Sequence, residues 1–230
     1  MHRFLLTVGL LLLPLLGQPH GGQPKVETPA AKTTTASSLY AEMNLEGKVN
    51  TKAFELAVAG YNKITDRKRD VLTLIDFSKP STEERLFVFD MNKKELIYSS
   101  VVSHGRNSGG NYATAFSNKN GSYKSSLGFY LTENTYNGKN GYSLVLEGLE
   151  KGVNDHARQR AIVMHGAAYA NPSVIRAGGR LGRSLGCPAL PQKMNKPIID
   201  AIKGGSILYI YAENPDYMAQ SSILNEKPIS

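Results

Sequence analysis

The chain has one cysteine, Cys187, among its 230 residues. No disulfide can form within it. Exported proteins, which fold in oxidising compartments, usually carry cysteines in pairs. A lone one therefore points to pairing between molecules, to a working thiol, or to a small side chain packed as a hydrophobe. Nor is there an apolar run long enough to cross a bilayer. The N-terminal one, residues 4–16, has 13 residues and is broken by Thr7, Gly9 and Pro14, against the ~20 a spanning helix requires. No Ala-x-Ala site follows it, and no cysteine lies near its end, which argues against a lipid-anchored lipoprotein. Internal repeats are absent. Lys and Arg are scattered rather than gathered into a stripe, so nucleic acid is not an expected partner.

What is present begins with that leader. His2 and Arg3 followed by the short apolar run match a secretory signal peptide over residues 1–22, cut between Gly17 and Gly22. The alternative is an uncleaved tether. The expected location is exported, periplasmic or wall-associated, with no stable membrane anchor after cleavage. The net charge of +8 would draw such a protein to anionic polymers of a cell wall or to lipid headgroups, and also serves solubility.

Residues 23–38 are rich in Pro, Thr, Ala, Ser and Lys without apolar periodicity and read as a flexible linker. Residues 39–69 carry helical spacing, with Phe54, Ala57, Val58, Tyr61 and Ile64 on one face and Asn50 or Thr51 as a cap. From residue 70 the pattern becomes short runs of β-branched and aromatic residues: VLTLIDFS, RLFVFDM, ELIYSSVVS, GFYLT, YSLVLEG, AIVMH and SILYIYA. A short helix at 193–202 contains Pro197. The expected fold is mostly β, antiparallel, over 70–212, with a small helical N-terminal extension and a loosely held polar tail at 213–230. Two long loops, 103–126 and 167–191, exceed what a compact fold needs, and such loops are usually functional or disordered. The second carries the cysteine.

A thiol becomes a nucleophile as its thiolate, so Cys187 would need a base or positive potential nearby. His165 ends the apolar strand IVMHG, where the Gly166 carbonyl could orient its ring. Ser184 and Gly186 precede the cysteine, and Gly186 permits a sharp turn on which backbone N–H groups could converge as an oxyanion hole. Each also has an ordinary structural reading: a strand-end histidine, a turn glycine, and in Arg183 a surface charge.

The stretch MHGAAYANPSVIRAGGRLGRSLGCPALP resembles the signature of the L,D-transpeptidase (YkuD-like) catalytic domain, a His followed after a gap by Ser/Thr-x-Gly-Cys. Here the pattern falls on His165, Ser184, Gly186 and Cys187. SSLGFYL is similar to the small-residue, x-Gly, aromatic strand of those enzymes. The wording GRSLGCPA places the likeness with a divergent murein L,D-transpeptidase branch. The resemblance covers about residues 71–212 and implies a β-sandwich-like catalytic domain. It also implies cysteine acyl transfer on peptidoglycan stem peptides, with 3→3 cross-linking through a thioester and neither metal nor organic cofactor. Cys187, His165, Gly186 and Ser184 would form the catalytic set, with Arg183, His104 and Tyr169 as candidate substrate contacts. Two positions depart from the pattern. Leu185 stands where the family often has His, and Ala189 where an Arg usually follows, a role Arg183 or Arg180 would have to take. Carboxypeptidase or murein peptide hydrolase activity on the same scaffold, or wall binding without catalysis, are the alternatives.

Overall fold

The structure is a computed structural model describing residues 35–225. The expected signal peptide and most of the expected linker lie outside the described residues. Eight strands form one sheet: β1 (Val71–Asp76), β2 (Leu86–Asp90), β3 (Glu95–Ser100), β4 (Gly128–Gly138), β5 (Gly141–Gly148), β6 (Val163–Gly166), β7 (Ala189–Leu190) and β8 (Ile207–Tyr211). Their order is β3-β2-β1-β8-β4-β5-β6-β7. The expected mostly antiparallel β architecture holds, with two parallel junctions, β1 with β8 and β6 with β7. Ser103, just past β3, donates its N–H to the Ala189 carbonyl at 2.8 Å across an isolated bridge, so the first and last strands of the sheet meet and it nearly closes. β1 lies inside the sheet and is buried along its whole length, which is why its sequence runs apolar without alternation.

The N-terminal helices belong to this core. Helix α1 (Ala36–Glu42) starts within the expected linker, with Thr35 Oγ1 accepting the Ser38 N–H at 3.2 Å. Helix α2 (Thr51–Lys63) is capped by Asn50 Oδ1 on the Ala53 N–H at 3.1 Å, as its sequence predicts. It buries Phe54, Ala57, Val58 and Tyr61. Gly60 faces the Phe129 ring so closely that a Cβ there would sit 2.0 Å from Cζ; a side chain would push α2 off β4.

Two short elements interrupt the second long loop, a 3₁₀ turn (Ala168–Ala170) and helix α3 (Pro172–Gly178). Helix α4 (Gln192–Ile202) follows β7 and continues through Pro197, burying Ile198, Ile199 and Ile202 against the sheet. The expected tail is described up to Asn225, and that part packs onto the domain. Helices α5 (Pro215–Gln220) and α6 (Ser222–Asn225) dock through a fully buried carboxylate, Glu150. Glu150 accepts the Phe129 N–H at 2.8 Å, the Tyr217 hydroxyl at 3.1 Å, and the Ser221 hydroxyl. The tail is polar because its hydroxyls supply what a buried carboxylate needs.

Candidate active site

β6 places His165 between two neighbours, opposite Ser143 of β5 and beside Ala189 of β7. Its Nδ1 lies 3.0 Å from the Gly166 carbonyl. A carbonyl oxygen only accepts, so Nδ1 carries the proton and Nε2 is left with a free lone pair. Cys187 stands two residues before Ala189. His165 and Cys187 line one cavity of about 780 Å³.

The turn that carries the sulfur is built by its neighbours. Ser184 Oγ accepts the Gly186 N–H at 3.0 Å and donates to the Cys187 carbonyl at 2.6 Å. The Gly186 carbonyl accepts from Ser125 Oγ at 3.1 Å. Gly186 adopts φ +128°, and a Cβ there would approach the Lys124 carbonyl to 2.9 Å and Ile162 Cδ1 to 3.0 Å, so no other residue fits. The Gly186 N–H is committed to Ser184. Among the described residues, the Cys187 N–H donates to no other residue and remains available. Around the sulfur, the thiol faces the Ala161 carbonyl at 3.7 Å, and the Val163 N–H points at the sulfur from 3.5 Å. Burial pushes the thiol pKa up, while the Val163 N–H and the charge of Arg160 pull against it.

Of the expected substrate contacts, Arg183 and Tyr169 line this cavity. Arg183 Nη1 donates to the carbonyls of Arg106 and Gly109 at 3.2 and 3.0 Å. The Tyr169 phenol is pushed up to about 12, by burial first and by the nearby Cys187 second. His104 is not brought to the cavity. It is 1% exposed and accepts from Arg85 Nη2 at Nδ1, 2.8 Å away, because a guanidinium only donates. Burial, then the Arg85 charge, lowers its pKa to about 4.

That value has a consequence for stability. The folded ring titrates below its ordinary pKa of about 6.5, so neutral His104 contributes fully above that pH and the contribution drains away as pH falls toward 4, by about 3 kcal/mol in all. His104→Asn keeps an acceptor for Arg85 but does not titrate. Urea midpoints between pH 7 and pH 4 are expected to fall more steeply in the wild type than in His104→Asn; equal slopes would show that His104 is not the group responsible.

Three features were not anticipated from the sequence. The β4–β5 hairpin runs six residues past the expected strand end, and its tip, Lys139 and Asn140, reaches the cavity. Leu185 is 57% exposed at the cavity mouth. Arg160, at the end of the turn leading into β6, lies on the cavity wall. Lys139, Arg160 and Arg183 thus give the lining three cations, and no Asp or Glu is among its described residues. At position 189, where the family pattern usually has arginine, the alanine is fully buried in β7 against Ala167, Ala170 and Tyr169. A long side chain has no room there.

A family model described as the L,D-transpeptidase catalytic domain matches residues 45–211. The chain belongs to that family. The matched range includes α2. No curated protein matches the sequence. Among solved structures, the chain is similar to an L,D-transpeptidase from Mycobacterium smegmatis, at 12% identity and TM-score 0.39, over 62% of this chain and 59% of that one. It is also similar to the helical cell shape determining protein Pgp2 from Campylobacter jejuni, at 15% identity and TM-score 0.43, over 71% and 55%. A third is an L,D-transpeptidase (Yku) from Stackebrandtia nassauensis, at 14% and 0.37, over 78% and 77%. The matched region spans under three fifths of the length of the first two. Among the described residues of this L,D-transpeptidase domain, no helix is long and apolar enough to cross a membrane, and no cluster of His, Cys, Asp and Glu could hold a metal ion.

Proposed function

We propose that the protein is an exported cysteine acyltransferase that cross-links peptidoglycan stem peptides. The observation that carries this reading is a histidine with its Nδ1 proton tied to the Gly166 carbonyl and its Nε2 free, sharing a cation-lined cavity with the sole cysteine. A thiol pushed up by burial rests protonated, so it needs that base. His165 Nε2 takes the proton as the sulfur attacks the carbonyl carbon of the diaminopimelate residue in a tetrapeptide stem. The oxyanion forms against the free Cys187 N–H. The carbon–nitrogen bond to D-alanine then breaks, and His165 returns its proton to the leaving amine. An amine from a second stem attacks the thioester carbonyl, His165 takes that amine's proton, and the carbon–sulfur bond breaks with the sulfur recovering a proton. The product is a 3→3 cross-link. The thioester stores the bond energy, so no metal or organic cofactor enters these steps. Lys139 and Arg183 suit a donor with free carboxylates, and the leader and net charge of +8 suit an anionic wall polymer outside the cytoplasm.

The test is mass spectrometry after incubation with disaccharide-tetrapeptides. Expected are dimeric muropeptides, free D-alanine, and an intact-protein adduct on Cys187. D-alanine without dimers would make water the acceptor and the protein a carboxypeptidase. Binding to murein with no adduct and no product would sink the enzymatic reading.

A further inference from the structure

Arg160 stands at the head of the segment that contacts the sulfur. The next residue supplies the Ala161 carbonyl, and two further on comes the Val163 N–H. Its guanidinium is held rigidly. Nη1 donates to the Ser117 carbonyl at 2.8 Å and to Ser126 Oγ at 2.5 Å, and Nη2 to the Lys124 carbonyl at 2.6 Å and to Ser122 Oγ at 3.3 Å. Every one of these acceptors is a neutral carbonyl or hydroxyl. No carboxylate among the described residues pairs with Arg160, whereas Arg158, two residues earlier on the surface, bridges both Glu133 and Glu147. A guanidinium fixed by four neutral acceptors keeps its full positive field, and half-burial makes that field less screened than at the surface. The nucleophile turn lies against it: a Cβ on Gly186, the residue before the cysteine, would be 3.4 Å from Arg160 Nη2.

We propose that Arg160 is a positioning residue for the Cys187 thiolate: a cation locked beside the nucleophile turn by neutral partners, which favours the sulfur anion over the thiol and braces the 117–126 loop under it. This rests on the reading of Cys187 as the nucleophile. The other titratable or charged groups lining the same cavity are His165 on β6, Tyr169 on the 3₁₀ turn, Lys139 at the hairpin tip and Arg183 on the cysteine's own loop. Tyr130 faces Arg160 from β4. Of these charges, Arg160 is the one that lowers the thiol pKa by its field.

The experiment is the pH profile of iodoacetamide labelling at Cys187, followed by intact-protein mass on the full chain. Wild type, Arg160→Lys and Arg160→Gln would be compared, with melting curves run alongside. It needs no peptidoglycan, so its failure is distinct from failure of the transpeptidation reading. The inflection is expected to rise in the order wild type, Arg160→Lys, Arg160→Gln. The glutamine variant should be shifted by about one pH unit, which is about tenfold slower labelling on the low-pH limb. Lysine keeps the charge but cannot reach four acceptors, so its charge sits displaced and the shift is smaller. A purely structural brace would change labelling equally at every pH without moving the inflection. An unmoved inflection in either variant overturns the proposal, so the lysine variant suffices if the glutamine variant does not fold.

Discussion

Cys187→Ala is expected to leave no cross-linked or trimmed muropeptide above the no-enzyme level, and His165→Asn to lower the acylation rate by roughly 10²–10⁴-fold. The two losses differ in kind. Without sulfur there is no thioester and no second step. Without the imidazole the sulfur remains, but its proton must go to water, and a thiol pushed up by burial gives it up poorly. Asparagine is the informative replacement because its amide can still donate to the Gly166 carbonyl that now takes the Nδ1 proton. The end of β6 and its pairing with Ala189 are then preserved while the lone pair at Nε2 is lost. The residual activity of His165→Asn should climb with pH as the thiolate forms unaided, whereas the Cys187→Ala baseline stays flat. Release of D-alanine, timed by mass spectrometry across pH 6–9, reads both. Wild-type rates in His165→Asn would mean that the proton leaves by another route, and the pairing of these two residues in one cavity would be incidental.

The pairing of the two motif segments was more legible in the sequence than the walls of the cavity they share. His165, Ser184, Gly186 and Cys187 sit in two short segments with a distinctive spacing, and β6 and β7 bring those segments side by side. The strands were legible because interior strands such as β1 and β8 are continuous apolar runs. The walls come from elsewhere in the chain. Arg160 stands in DHARQR, which reads as a solvated turn, and only the neutral acceptors at 117, 122, 124 and 126 turn it inward; a pattern that depends on contacts 34 to 43 residues away leaves no local signature. The hairpin tip was missed because NGKNG reads as an ordinary loop, although Gly138 and Gly141 flank a two-residue connection at Lys139-Asn140. His104 misled in the opposite direction. It lies in a glycine- and serine-rich loop that looks exposed, yet Arg85 draws it inside. In the tail, polarity serves a related purpose at two positions, where the Tyr217 and Ser221 hydroxyls satisfy Glu150.

Arg85 is where the largest stability effect is expected. It is fully buried, and its fork is saturated: Nε and Nη2 donate to the Val102 carbonyl at 3.0 and 2.7 Å, Nη1 to the Lys79 carbonyl at 2.9 Å, and Nη2 to His104 Nδ1. The guanidinium also lies over the Phe77 ring, 4.8 Å from its centre. Burial drops its pKa to about 9, with the charge of Asp76 opposing that. Arg85→Met matches the stem but strands two carbonyls, one imidazole and the Asp76 carboxylate, which is itself mostly buried and pushed up in pKa by that burial. Removing one member of such a buried set typically costs about 3–5 kcal/mol, which for a domain of this size lowers Tm by roughly 10 °C. Thermal and urea unfolding would measure it, and a loss under about 1 kcal/mol would show that the cluster contributes little net stability. The pair Arg85→Met with His104→Leu should recover part of the loss, since the imidazole is then no longer stranded; simple addition of the two single losses would argue that they do not act as a unit. The effect should also reach the site. Val102, which Arg85 holds by its carbonyl, precedes Ser103, and Ser103 bridges to Ala189 beside His165 and two residues from Cys187. Activity of Arg85→Met measured well below its melting point should therefore fall, and Arg183 would be disturbed with it, because the Gly109 carbonyl that accepts from Arg183 also meets the His104 ring.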